Sequence, residues 1–207
     1  MTTTPETAAE VAVEQAEQAA ATSRVVDGVT FPAPGTYVLD PTHTRIGFVA
    51  RHLMVTKVRG NFGEFSGSIT VAEDPKDSTA EATLKTVTIE TGTPDRDTHL
   101  RSGDFLEAEK YPEITFRNAR IQSQKDAQFT VVGDLTVKDT TRPVTLDVEI
   151  DGVATDPWGN EKLAITASTE IDREEFGMTW NVALETGGVL VSKKVKIEIE
   201  AQAARQA

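Results

Sequence analysis

The sequence predicts an all-β domain: an extended antiparallel barrel of about eight strands with short helical insertions. Three observations carry this expectation. From Tyr37 onward the apolar residues recur with period two rather than 3.6. The alternating runs are long for a globular sheet. Turn clusters such as "DGVATDPWGN" separate them.

Residues 1–35 come first. "MTTTPETAAEVAVEQAEQAAATSR" has no basic start and no continuous apolar core. It does not read as a secretory signal, and a cytoplasmic location is expected. Its Ala/Glu/Gln content favours helix, but an isolated helix this short is marginal in water. The expectation is an acidic tail, flexible or partly helical, ending at the hinge "FPAPG", with the barrel domain occupying 36–207.

Strands follow at roughly 44–53, 58–72, 79–90 and 113–121. "QFTVVGDLTV" then sets Phe129, Val131, Leu135 and Val137 on one side, with Gly133 between them. In "PVTLDVEIDG", Val144, Leu146, Val148 and Ile150 alternate with Thr145, Asp147, Glu149 and Asp151. "KLAITASTEI" repeats the pattern with Leu163, Ile165, Ala167 and Ile171. "GGVLVSKKVKIEIE" sets Val195, Ile197 and Ile199 against Lys194, Lys196 and Glu198. Two strands break parity. Phe62 and Phe65 share a face only with a bulge near Gly63, and Leu84 and Val87 only with one near Lys85. Long strands, half apolar by alternation, suit an up-and-down barrel better than an open sheet with exposed edges; a sandwich stays open. Eight strands enclose an interior that side chains just fill, or that holds one small ligand.

Composition removes several function classes. With 207 residues, one substantial core is affordable, and no run approaches the ~20 apolar residues of a membrane helix. A net charge of -12 argues against nucleic acid and against docking on anionic lipid through a polybasic patch. The absence of cysteine excludes disulfides and zinc–thiolate sites.

One stretch resembles a reactive centre. "PDRDTHLRSGDFLEAEKYPEITF" (94–116) spaces Asp95, Asp97 and His99 as if to hold a metal or move a proton. A structural reading is favoured. Thr93 and Pro94 suit a helix start with Asp95 near its positive end. Asp104 and Glu107 have capping-box spacing. Leu100, Phe105 and Leu106 would be the apolar contacts of a helical insertion across a barrel end, and Arg96 and Arg101 would pair with carboxylates or loop carbonyls. On a helix, i and i+2 diverge, so the three metal-like residues would not meet. Ser66, Ser68 and Ser192 show no partnership with His and Asp. His43 falls in a turn, and Asp172 with Glu175 reads as a cap.

Four blocks, "YVLDPTHTRIGFVARHLMVTKVRGNFGEFSGSI" (37–69), "RDTHLRSGDFLEAEKYPEITF" (96–116), "GDLTVKDTTRPVTLDVE" (133–149) and "DREEFGMTWN" (172–181), occur in order. Together they resemble the YceI-like family of polyisoprenoid-binding, lipid-binding domains, over nearly all of 36–200. The resemblance implies a lipocalin-like barrel that binds, transports or sequesters a long-chain isoprenoid or similar amphiphile in an apolar tunnel, without catalysis. The expected ligand is an isoprenoid, an isoprenoid quinone or a fatty-acid-like lipid; no other cofactor and no metal is expected. The tail and the missing export signal depart from many members of the family. Guided by parity and the resemblance, the expected tunnel wall is Phe48, Phe62, Phe65, Phe116 and Phe129, with His52 toward a polar group. Phe105, Phe176 and Trp180 would close an end. Two alternatives stand: an enzyme on a small hydrophobic substrate with His52 or His99 as its base, or a solid-core barrel serving as an interaction module. A homodimer stays open.

Overall fold

The structure, a computed structural model, describes residues 23–26, 28–185 and 188–206. Its strands are β1 (Ser23–Val26), β2 (Val29–Pro32), β3 (Gly35–Leu39), β4 (Arg45–His52), β5 (Thr56–Phe62), β6 (Phe65–Val71), β7 (Thr79–Lys85), β8 (Ile89–Glu90), β9 (Glu113–Lys125), β10 (Gln128–Val137), β11 (Thr140–Thr155), β12 (Glu161–Asp172) and β13 (Val191–Arg205). The helix α1 (Pro94–Arg101) lies between β8 and β9.

The ring runs β3-β6-β7-β9-β10-β11-β12-β13, and β13 returns to β3. This is a closed antiparallel barrel of eight strands. Strand β4 pairs with the N-terminal part of β13 (Ile197↔Phe48), whereas β3 takes its C-terminal part (Ala203↔Leu39). Thus β3 and β4 form one interrupted stave, and β5 with β6 and β7 with β8 form two more. Closure leaves the ring without the free edges that an open sheet presents.

The interruptions replace the bulges expected near Gly63 and Lys85. Between β5 and β6 the ladder gives way to Gly63 N–H donating to the Thr88 carbonyl at 3.1 Å and Lys85 N–H donating to the Glu64 carbonyl at 2.9 Å. Parity therefore restarts after each break. Phe62 is buried and Phe65 packs on the same cluster, but Val87 is exposed and Thr86 and Ile89 are buried in its place. A 3-10 turn over Thr86–Thr88 rotates Val87 outward.

The largest correction is at the N-terminus. Residues 1–22 and 27 lie outside the described residues, but Ser23–Val26 and Val29–Pro32, both within the expected tail, are strands. Strands β1 and β2 form a hairpin with Ser23↔Pro32 and Val26↔Val29 in register. Val29 and Phe31 are buried. Phe31 meets Phe129 edge-on, ring centroids 5.5 Å apart. Arg24 reaches Glu73 at 3.2 Å and also donates to the Ala72 carbonyl. The hairpin thus spans from the end of β6 to β10 and β11. Four-residue strands are too short for periodicity to reveal, and "FPAPG" is a docked edge rather than a hinge.

Tyr37 fixes the wall beside this hairpin. It is fully buried, and its hydroxyl faces the Ala33 carbonyl at 2.9 Å and Glu161 Oε2 at 3.2 Å. Burial, reinforced by the charge of Glu161 and its hydrogen bond, pushes the phenol up to about 12. The opposite end is closed by α1, the loop after it and the 3-10 turn Arg173–Phe176. Their side chains, including Leu100, Leu106 and Phe176, join Phe62, Leu84 and Ile114 in one core cluster.

Candidate functional site: an apolar cavity through the barrel

Two cavities occupy the barrel interior. The hairpin-side cavity, about 180 Å³, is walled by Phe31, Val71, Phe129, Val148 and Leu163 among others. The helix-side cavity, about 210 Å³, is walled by Phe48, Phe62, Leu84, Phe105 and Met178 among others. Ile46, Ala82, Phe116, Leu146 and Ile199 border both. The two lobes therefore lie end to end along the barrel and meet at a waist formed by those five residues. For scale, a dry apolar cavity of ~150 Å³ takes up benzene.

Two glycines keep the lumen open. Phe48 faces Gly60 across the β4–β5 ladder, and a Cβ on Gly60 would sit 2.4 Å from Phe48 Cζ. A Cβ on Gly133 would likewise sit 2.4 Å from Phe116 Cζ. Each ring edge occupies the space that a side chain at the neighbouring glycine would need. Without that hydrogen-sized space the ring would have to stand out into the lumen.

Polar groups are few at the wall. Ser68, Ser78, Thr79 and Glu81 border the hairpin side, and Thr169 and Arg173 the helix side. Arg173 is almost fully buried. Its Nε donates to the Ser192 carbonyl at 3.0 Å, Nη1 donates to the Met178 carbonyl, and Nη2 has no acceptor. Burial pushes its pKa down, while the charges of Glu174 and Asp172 work the other way. The guanidinium also lies 5.8 Å from the Phe105 ring centroid, a cation–π contact at the closed end.

Of the residues expected at a ligand, Phe48, Phe62, Phe105, Phe116 and Phe129 border the cavity. Phe65 and Phe176 belong to the surrounding core instead. Trp180 stands behind Phe105, centroids 5.4 Å apart, and His99 packs edge-on to both. His52 ends β4, half-buried and away from the wall, with Val191 as its wall-bordering partner on β13. The expected site leaves out the aliphatic wall of β11 to β13, although parity sets those residues on one face, and Phe31, whose strand is too short for periodicity.

The metal-like stretch does not converge. Asp97 accepts from Thr91 N–H at 2.8 Å and from Thr91 Oγ1 at 2.5 Å, tying α1 to the end of β8. His99 Nε2 faces Asp104 Oδ2 at 2.8 Å. Asp104 therefore serves His99 rather than a capping box, and Thr93 is the N-cap residue of α1 as expected, although its hydroxyl accepts from Arg96 rather than from a helix N–H. Arg96 and Arg101 bond the carbonyls of Thr91 and Ile89. Asp172 does cap its 3-10 turn, accepting from Glu174 N–H at 3.0 Å.

The family model of the YceI-like domain matches residues 37–203. The chain belongs to the YceI-like family. A UPF0312 protein of Staphylococcus aureus (strain bovine RF122 / ET3-1), SAB2563, is 39% identical over 170 residues, covering 80% of this chain and 95% of that one. The crystal structure of the Campylobacter jejuni YCEI protein is 28% identical at TM-score 0.66, covering 76% of this YceI-like chain and 90% of that one. A polyisoprenoid binding domain from Saccharophagus degradans shares the fold at 15% identity and TM-score 0.60, over 82% of this chain and 98% of that one.

Proposed function

We propose that this YceI-like protein binds one long-chain amphiphile, an isoprenoid or a lipid of similar shape, inside the barrel and carries or sequesters it without chemistry. The observation that carries the reading is the pair of apolar lobes stacked end to end inside the barrel, sharing five wall residues. A tube of this kind suits a chain rather than a compact substrate. At ~0.8 kcal/mol per methylene, ten buried carbons contribute about 8 kcal/mol before the costs of association. That the domain from Saccharophagus degradans is described as polyisoprenoid-binding supports the same class of ligand. No histidine borders either lobe among the described residues. The placement of His52 and His99 therefore lends no support to the enzymatic alternative.

Native mass spectrometry of freshly purified protein tests the proposal. The expected result is a non-covalent adduct of one amphiphile that denaturation releases. Protein that is free of lipid when isolated, and that takes up none from a mixture of long-chain isoprenols and fatty acids, would refute it.

A further inference from the structure

The tip between β4 and β5 is built against local preference. Leu53 and Met54 both take left-handed backbone, with φ of 53° and 60°, where Asn-Gly is the favoured pair. Bulky side chains cost energy in that conformation. They are not placed there for packing: Leu53 is 43%, Met54 51% and Val55 78% exposed. Val182, in the loop that hydrogen-bonds to Leu190, is also exposed. The tip is thus an apolar projection supported by a strained turn.

Behind it the charge of this acidic protein reverses. No Asp or Glu occurs between Asp40 and Glu64, or between Glu185 and Glu198. These segments hold β4, β5 and the first half of β13, which lie side by side. Arg51 stands directly opposite Lys57, a like-charge pair that weakens a ladder. Lys193 engages Glu174 and Lys196 engages Glu198. Arg51, Lys57, Arg59 and Lys194 have no carboxylate at ion-pair distance among the described residues. The overall charge disfavours an anionic surface, but this face does not.

The same end of the barrel holds the helix-side lobe. Leu53 N–H donates to the Leu190 carbonyl at 2.8 Å, and the next residue, Val191, borders that lobe. We propose that the tip Leu53–Val55, with Val182 and the basic residues behind it, docks on an anionic phospholipid bilayer. The apolar side chains enter the acyl boundary, and Arg51, Lys57, Arg59 and Lys194 face the headgroups. Docking there brings the helix-side lobe, which α1 and the 3-10 turn close, beside the bilayer that would supply or take its lipid. This role for the tip rests on the lipid-binding reading, whereas the docking itself can be measured without it.

Vesicle flotation with the full chain is the test, using phosphatidylcholine alone and phosphatidylcholine mixed with phosphatidylglycerol. Binding is expected only to the mixed vesicles, and high salt should abolish it. Lys57→Gln and Arg59→Gln should each lower partitioning roughly fivefold, the equivalent of about 1 kcal/mol per basic residue. The decisive variant replaces Leu53→Asn together with Met54→Gly. It relieves the turn, so it should fold with an equal or higher Tm and yet lose the mixed vesicles. Wild-type protein that ignores anionic vesicles overturns the proposal. So does a relieved-turn variant that still binds them, or one whose only change is loss of self-association in ultracentrifugation. Vesicle binding by protein that takes up no lipid keeps the docking surface and counts against the carrier reading.

Discussion

Gly133→Ala tests the waist with a single methyl group. The new Cβ would lie 2.4 Å and 2.7 Å from Phe116 Cζ and Cε2, and 3.0 Å from the Arg117 carbonyl. Carbon atoms rest at about 3.5–4.0 Å, so the ring edge has to retreat by about 1 Å. Phe116 borders both lobes, and the lumen is the open direction. The ring therefore swings into the waist and divides the space. In a solid core such overpacking costs typically 1–3 kcal/mol. Here the ring has room, and replacing glycine stabilises by roughly 0.4–1 kcal/mol through the unfolded chain. The net change should stay within about 1 kcal/mol, or about 2–4 °C in Tm for a domain of this size. Binding should respond by chain length. In a competition assay on delipidated protein, geraniol, which needs only one lobe, keeps its affinity. Geranylgeraniol weakens at least tenfold, because about 1.4 kcal/mol is fewer than two methylenes at ~0.8 kcal/mol each. Unchanged geranylgeraniol affinity would refute the reasoning. So would a large loss of Tm with both ligands affected alike, which is the signature of a packed interior.

Three further outcomes are expected. The Tyr37 phenol is raised from 10.0 to about 12 in the folded protein, so its contribution is intact below pH ~10 and is lost as pH rises through 10 to 12. Alkaline denaturation should show that loss, on the order of 2–3 kcal/mol, and Tyr37→Phe should flatten it; an unchanged slope would count against the assignment. Phe31→Ala removes a buried ring from Phe129 and from the cavity wall, so urea unfolding should show a loss approaching about 3–5 kcal/mol. A near-neutral result would mean that the hairpin does not dock. Because Asp97 serves Thr91 and His99 serves Asp104, EDTA should leave Tm unchanged. Stoichiometric zinc uptake that His99→Ala abolishes would contradict this.

The five unbroken strands were legible because each is long and largely alternating: Val144, Leu146, Val148 and Ile150 leave no second reading, whereas β9 changes phase at Asn118, between Phe116 and Ala119. The helical clasp was legible from Leu100, Phe105 and Leu106, whose spacing fits no strand. Legibility failed where a short element borrows its order from elsewhere. Strand β2 is four residues long, and its burial depends on Phe129, about a hundred residues away. Val87 failed for the related reason that parity does not survive a broken strand. In the site, aromatics were easy to nominate, but a wall residue and a core residue such as Phe62 and Phe65 differ only in which side of the break they occupy. In the sequence Gly133 is only a gap in an alternating run. Only the ring of Phe116 lying over it shows what the gap does.

The three breaks at 40–44, 63–64 and 86–88 fall beside one another on neighbouring staves. The barrel wall therefore has two textures. Five staves are continuous ladders, whereas three are stitched by turn and side-chain hydrogen bonds, such as Thr44 Oγ1 to the Gln202 carbonyl at 3.1 Å. Local opening is cheapest where backbone bonds are few. A seam of this kind lets one flank of the tube part without unravelling the other. Amide hydrogen exchange should accordingly run faster along β3 to β8 than along the continuous staves β9 to β13.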